Sequence, residues 1–149
     1  MIVGSYRFTN LSGKEEYNQS EVDSLLNHFS ELMDSANRHD VDKHLSFYLR
    51  SPHLLFTLNN ETIRGWGNLR NKQAEWWNHG KTDVHYELKD LRISLVSETA
   101  ISTLATFSGQ RTGETGQKRL SDFSFSALWL KREKGWRIAI AHESMAIQP

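Results

Sequence analysis

Apolar positions change their period partway along this chain. From Ser20 to Asn37, Val22, Leu25, Leu26, Phe29, Leu32, Met33 and Ala36 recur at helical spacing and predict an amphipathic helix with one buried stripe. Ser20 with Asp23 reads as a capping-box-like start, a short acid standing for the usual Glu or Gln. Asp40-Val41-Asp42 caps a second, shorter helix with Val41, Leu45, Tyr48 and Leu49 inward. Ser51-Pro52 ends it, because proline restricts the residue before it. Leu54 to Leu58 reads as a strand, turned by Asn59-Asn60 and returned by Glu61 to Arg64. Gly65-Trp66-Gly67 leads into a third helix from Asn68 to His79, with Leu69, Gln73, Trp76 and Trp77 on its inner side and Gly80 as the stop.

Beyond residue 83 the pattern alternates. Val84 to Val96, Ala100 to Arg111, Lys118 to Lys131 and Trp136 to Met145 predict four long strands joined by turns. Helices first and a meander afterwards is an α+β order: three N-terminal helices packed on a strongly bent antiparallel sheet. Residues 1–19 are polar and aperiodic, and read as a flexible arm or a short strand laid on a neighbour. The domain proper runs over 20–149. The long strands are apolar on both faces, so the sheet needs two covers. Helices supply one, and a second copy in a homodimer would supply the other.

Composition removes several classes of function. The chain has 149 residues, enough for one domain with a real core. Eighteen basic and eighteen acidic side chains cancel, which leaves no electrostatic footprint for nucleic acid or an anionic membrane. The absence of cysteine excludes disulfides, thiol catalysis and cysteine-ligated metals. The seven histidines show no metal-ligand spacing, and the glycines form no phosphate loop or dinucleotide fingerprint. Neither a cofactor nor a metal is expected. No leader-like apolar segment opens the sequence, so a cytoplasmic location is the expectation.

The second half ends in a hairpin. Ser124 to Leu130 leads through Lys131-Arg132-Glu133-Lys134-Gly135 into Trp136-Arg137-Ile138 and closes on His142-Glu143-Ser144. With the capped run Asp40-Val41-Asp42-Lys43-His44-Leu45 and the join Thr62-Ile63-Arg64-Gly65 before the third helix, these features resemble the SnoaL-like domains. Those belong to the nuclear transport factor 2-like, or ketosteroid isomerase-like, superfamily. The resemblance spans roughly Ser20 to Ser144 and implies a cone-shaped α+β barrel whose helices close the concave face of the sheet. It implies no single activity, because that scaffold serves catalysts, ligand binders and assembly domains. The closing His-x-Ser also looks like the end of the calcium/calmodulin-dependent kinase II association domains, which build oligomers. Ketosteroid isomerases use an aspartate base with a tyrosine and a protonated aspartic acid as oxyanion donors. The base position falls near Phe56 and the helix tyrosine near Leu32, and neither can do that chemistry.

Candidate chemistry therefore comes from other positions. Strict alternation puts His142 on one face with Trp136, Ile138, Ile140 and Ser144. If that face looks into the cone, His142 is a general acid or base; otherwise it is a core or interface histidine. Asp122, on the preceding strand, is either a cavity carboxylate oriented toward His142 or a surface acid paired with Arg119 or Arg111. Tyr48, Trp66, Arg119 and Ser124 are the expected ligand contacts. Tyr48 and Tyr86 offer phenols, Trp66 stands near the pocket mouth, Arg119 offers a guanidinium and Ser124 a small lining residue. The five tryptophans suit an aromatic-lined cavity, a broad sheet interface or plain core packing. The expected function is binding of a small, mostly apolar molecule. Cofactor-independent acid/base chemistry of the isomerase, cyclase or dehydratase type would act on it. A non-catalytic binding or oligomerisation domain is the alternative.

Overall fold

The computed structural model describes residues 5–149. The elements run β1 (Arg7–Asn10), α1 (Gln19–Asn37), α2 (Val41–Leu45), β2 (Leu55–Leu58), β3 (Glu61–Arg64), α3 (Trp66–Trp76), a 3-10 turn (Asn78–Gly80), then β4 (His85–Ser97), β5 (Ala100–Thr112), β6 (Lys118–Arg132) and β7 (Gly135–Ile147). Seven strands form one sheet in the order β1-β4-β5-β6-β7-β2-β3. Three helices pack on this curved, open sheet, as the α+β pattern predicts. The sheet is mixed, because β1 runs parallel to β4 and β2 parallel to β7. Part of the expected arm is thus a sheet edge: Phe8 pairs with Ile93, and Leu11 N–H donates to the Leu95 carbonyl at 2.8 Å. The arm's first four residues, Met1 to Gly4, lie outside the described residues. Among the described residues no helix is long and apolar enough to cross a membrane.

Helix starts follow short-range chemistry. Asn18, rather than Ser20, caps α1: its Oδ1 accepts from the Ser20 N–H at 3.0 Å and from the Ser20 hydroxyl at 2.6 Å. Asparagine is as good an N-cap as serine, and it sits where the chain is already extended. Asp40 caps α2 as expected, accepting from the Lys43 N–H at 3.1 Å. That helix stops at Leu45, well before the predicted stop at Ser51-Pro52. Phe47 to Leu49 leave it to pair with β7, through Ile138 N–H to the Phe47 carbonyl at 2.8 Å and Leu49 N–H to the Ile138 carbonyl at 2.7 Å. This early exit carries Tyr48 onto the sheet beside Ile138.

The core lies between α1 and the concave face of the sheet. Leu25, Phe29, Leu32 and Leu45 meet Ile93, Ile101, Trp129, Trp136 and Ile138 there. Polar tips are satisfied: Trp129 Nε1 donates to Thr103 Oγ1 at 2.9 Å, and Trp136 Nε1 to Glu21 Oε2 at 3.1 Å.

Three register shifts interrupt the ladders of the described strands; one skips Val96 near the end of β4, and the other two set which residues face inward beside the core. β4 skips Lys89, so Tyr86 and Leu88 face in before it and Leu91, Ile93 and Leu95 after it. β7 skips Ala139 between the pairs Trp129–Ile138 and Leu128–Ile140. One extra residue reverses the inside-outside alternation for everything beyond it.

Candidate functional site

The reversal at Ala139 decides the chemistry of the last strand. Trp136 and Ile138 are buried before the bulge; Ala141 is buried after it, and Ile140, His142 and Ser144 are exposed. His142 therefore stands on the convex face, opposite Ser126 on β6 and Thr57 on β2. The reading that placed it in the cone rested on unbroken alternation, which the bulge interrupts. Its neighbour Glu143 takes the inward position. Nothing in the local sequence marks the bulge; the small residues Ala139 and Ala141 flanking Ile140 are the faint signal.

Of the other expected site residues, Asp122 and Ser124 line a shared hollow of about 310 Å³ with Lys89 and Ser144, and the rest lie apart. Asp122 is exposed on the convex face, with both carboxylate oxygens accepting from Gln148 Nε2 at 3.0 Å. It pairs with Ala146 in the sheet register, four positions from the residue opposite His142, so the two do not form a dyad. Ser124 is exposed on that same face, and Arg119 is exposed near the end of β6. Trp66 lies outside the cavity, its indole donating to the Leu45 carbonyl at 2.8 Å and stacking under Arg50 at 4.4 Å. Tyr48 alone of the six lines the cone.

The cavity itself measures about 50 Å³. Leu32, Met33 and Ala36 come from α1, His44 from α2 and Tyr48 from the segment after it. Phe56 comes from β2, Gln73 and Trp77 from α3 and its end, and Tyr86, Phe107, Phe125 and Glu143 from the last four strands. Phe56 and Leu32, the positions that depart from the isomerase pattern, both sit in this wall. Rings meet edge to face and tilted: Tyr86 and Phe107 at 5.7 Å, Tyr48 and Phe56 at 6.2 Å, Phe56 and Phe125 at 6.4 Å. Gly109 lets this wall close, since a Cβ there would come within 2.9 Å of the Phe123 ring and 3.4 Å of Tyr86.

Beside the Gln73 amide, four titratable groups line the wall. The Glu143 carboxyl makes no hydrogen bond or ion pair with any described residue, although its backbone carbonyl accepts from Asn59 N–H at 2.8 Å. Burial pushes its pKa up to about 8. The residue keeps partial exposure because that carboxyl opens on the cavity. The Tyr48 phenol is held well above its ordinary value by burial and by the Glu143 charge. Tyr86 is pushed up to about 12, mainly by burial, while its hydroxyl accepts from Trp77 Nε1 at 2.9 Å. Burial lowers His44 to about 4. Its Nδ1 lies 3.0 Å from Ser35 Oγ and 3.2 Å from the Leu32 carbonyl. Ser35 Oγ already donates to that carbonyl, at 2.6 Å, so Nδ1 carries the proton and Nε2 is left as an acceptor.

At neutral pH the cavity thus holds a protonated carboxyl, two phenols and a neutral imidazole. Environments that push an acid up and a base down separate the proton-donating group from the proton-accepting one. A lone glutamate in a strand carries no spacing signal, so Glu143 does not stand out in the sequence, and His44 sits inside a capped helical run that explains it without chemistry.

Comparison with known proteins agrees with this architecture. A family model for the SnoaL-like domain matches residues 25–148. No curated protein matches the sequence. A nuclear transport factor 2 superfamily protein of Salmonella enterica serovar Typhimurium superposes with a TM-score of 0.73 at 20% identity, over 85% of this chain and 91% of that one. The hexachlorocyclohexane dehydrochlorinase LinA-type3 of Novosphingobium barchaimii gives 0.73 at 13% identity, over 88% and 90%. The association domain of CaMKII from C. elegans gives 0.70 at 16% identity, over 85% and 96%. At these identities the likeness is one of fold.

Proposed function

The chain belongs to the SnoaL-like domain family, and from that premise we propose that its cone binds a small, mostly apolar molecule and exchanges a proton with it. One observation carries this reading: Glu143 lines a cavity walled by aromatic rings, and its carboxyl has no hydrogen-bond or ion-pair partner among the described residues. A buried carboxyl left unpaired lowers stability, and groups kept in that condition cluster at functional sites. Glu143 is the acid/base residue. Tyr48 and Tyr86 donate hydrogen bonds to an oxygen of the ligand, and His44 Nε2, whose ring lies 5.8 Å from that of Tyr48, is an acceptor beside them. Isomerisation, cyclisation and dehydration all need such a pair and no cofactor. A structure of the same fold is a hexachlorocyclohexane dehydrochlorinase, which fits a scaffold able to host proton transfer.

A thermal-shift screen of small hydroxy- and carbonyl compounds tests the reading. A ligand of the native state raises the melting temperature of wild type by mass action. Glu143→Gln keeps the shape of the wall and should abolish turnover while retaining binding within roughly tenfold. Binding and turnover unaltered by Glu143→Gln would remove the residue from the chemistry.

A second reading has its own observation. The convex face carries Leu55, Leu104 and Ile140, each more than a third exposed, which suits an assembly domain or a homodimer. The two readings are compatible, because the cavity and this face lie on opposite sides of the sheet.

A further inference from the structure

The wall of the cavity narrows the class of ligand, if the cone is the binding site argued above. Six rings face it: Tyr48, Phe56, Trp77, Tyr86, Phe107 and Phe125. Glu143 sits among them, directly opposite Phe125 across the β6–β7 ladder and opposite Leu58 of β2. Neither lysine nor arginine lines the cavity among the described residues. An anionic ligand would meet a carboxyl and the negative faces of rings, with no cation to balance it. A cation meets the reverse. An aromatic wall attracts it, and Glu143 supplies a counter-charge that no described residue uses.

We propose that the cavity seats a small organic ammonium group, primary to quaternary, against the aromatic wall with Glu143 as its counter-ion. The size agrees. A water needs about 10–15 Å³ of such space, so a cavity of about 50 Å³ takes roughly four non-hydrogen atoms, the count of a trimethylammonium head. Protonation follows from the pairing. The free protein holds Glu143 neutral, its pKa near 8, because burial disfavours the charge. An ammonium ion beside it favours the charge and draws the pKa down. Carboxylic acid plus ammonium becomes a carboxylate–ammonium pair, and one proton leaves to solvent. The other titratable groups facing Glu143 do not change state in that range. Tyr48 and Tyr86 stay protonated and His44 stays neutral between pH 6.5 and 8.

The experiment is calorimetric titration with trimethylammonium and with 2-propanol, a neutral probe that also has four non-hydrogen atoms, in two buffers of different ionisation enthalpy. At pH 7 the ammonium should bind with release of close to one proton. Its affinity should rise by up to about tenfold per pH unit until the pH passes 8. Glu143→Gln should weaken the ammonium roughly tenfold or more and leave the alcohol unchanged. The proton count in wild type stands even if that variant folds poorly. Alcohol bound without ammonium overturns the proposal and leaves the cone a binding site. Ammonium bound without proton release, and equally by Glu143→Gln, also overturns it. Neither probe bound overturns this proposal and the binding-site reading together.

Discussion

Glu143 and His44 depart from their ordinary values in opposite directions, so their effects on stability oppose each other. The folded chain holds the Glu143 proton until about pH 8, whereas the unfolded chain releases it near 4.5. Its contribution is complete below 4.5 and is lost as pH rises to 8. His44 titrates near 6.5 unfolded and about 4 folded. Its contribution is present above 6.5 and is lost as pH falls toward 4. His28, also depressed by burial, acts in the same direction as His44. Below 6.5 the histidines offset the carboxyl; between 6.5 and 8 the carboxyl acts alone. Stability should peak near pH 6.5 and decline by up to about 2 kcal/mol toward pH 8, at about 1.4 kcal/mol per pH unit. Urea unfolding of wild type and Glu143→Gln across pH 5.5 to 9 isolates the term. The variant should lack the decline and match or exceed wild type at pH 9. A wild-type curve parallel to the variant's above pH 6.5 would mean that Glu143 is ionised in the folded protein.

At the scale of elements, the helix stripe and the four long strands were legible because each obeys one period over many residues. What resisted reading was the place where a period breaks. Alternation on β7 assigns His142 to the cone only if no residue is skipped, and Ala139 is skipped. Tyr48 was legible as an inward residue for the wrong reason, since it reaches the wall from a strand-like segment and not from α2. Trp66 was drawn toward the mouth by its neighbours in sequence, yet its indole closes α3 against Leu45. Bulges depend on the pairing of strands far apart in the chain, and a single sequence does not display that pairing. Deleting Ala139 tests the account. The β6–β7 ladder then becomes regular: Ile140, His142 and Glu143 keep their partners Leu128, Ser126 and Phe125, and Glu143 stays inward. The decline in stability between pH 6.5 and 8 should therefore survive the deletion. A deletion variant that loses the decline would mean that the skipped residue lies elsewhere on β7.

The whole molecule has one face that its own helices never cover. Across the convex sheet, Leu128, Ile140 and Leu55 stand side by side on β6, β7 and β2, and the adjoining row reads Leu104, Ser126, His142 and Thr57. Ile140 is 49% exposed and Leu104 45%. Between β5 and β2 the two rows carry no charge, and they end at Arg92 beside Leu104 and at Arg64 beside Leu55, so the centre of the patch can meet a copy of itself about a two-fold axis with the cations kept to its rim. We propose this face as the homodimer contact. Sedimentation velocity at micromolar concentration should give a dimer for wild type and a monomer for Ile140→Lys, with the far-ultraviolet circular dichroism of the two unchanged. Ile140 points away from the cavity, so the monomeric variant should still bind whatever the cone binds. A wild type that sediments as a monomer would remove the dimer; a variant that loses both association and binding would mean that the sheet transmits contact on its outer face to Glu143 on its inner one.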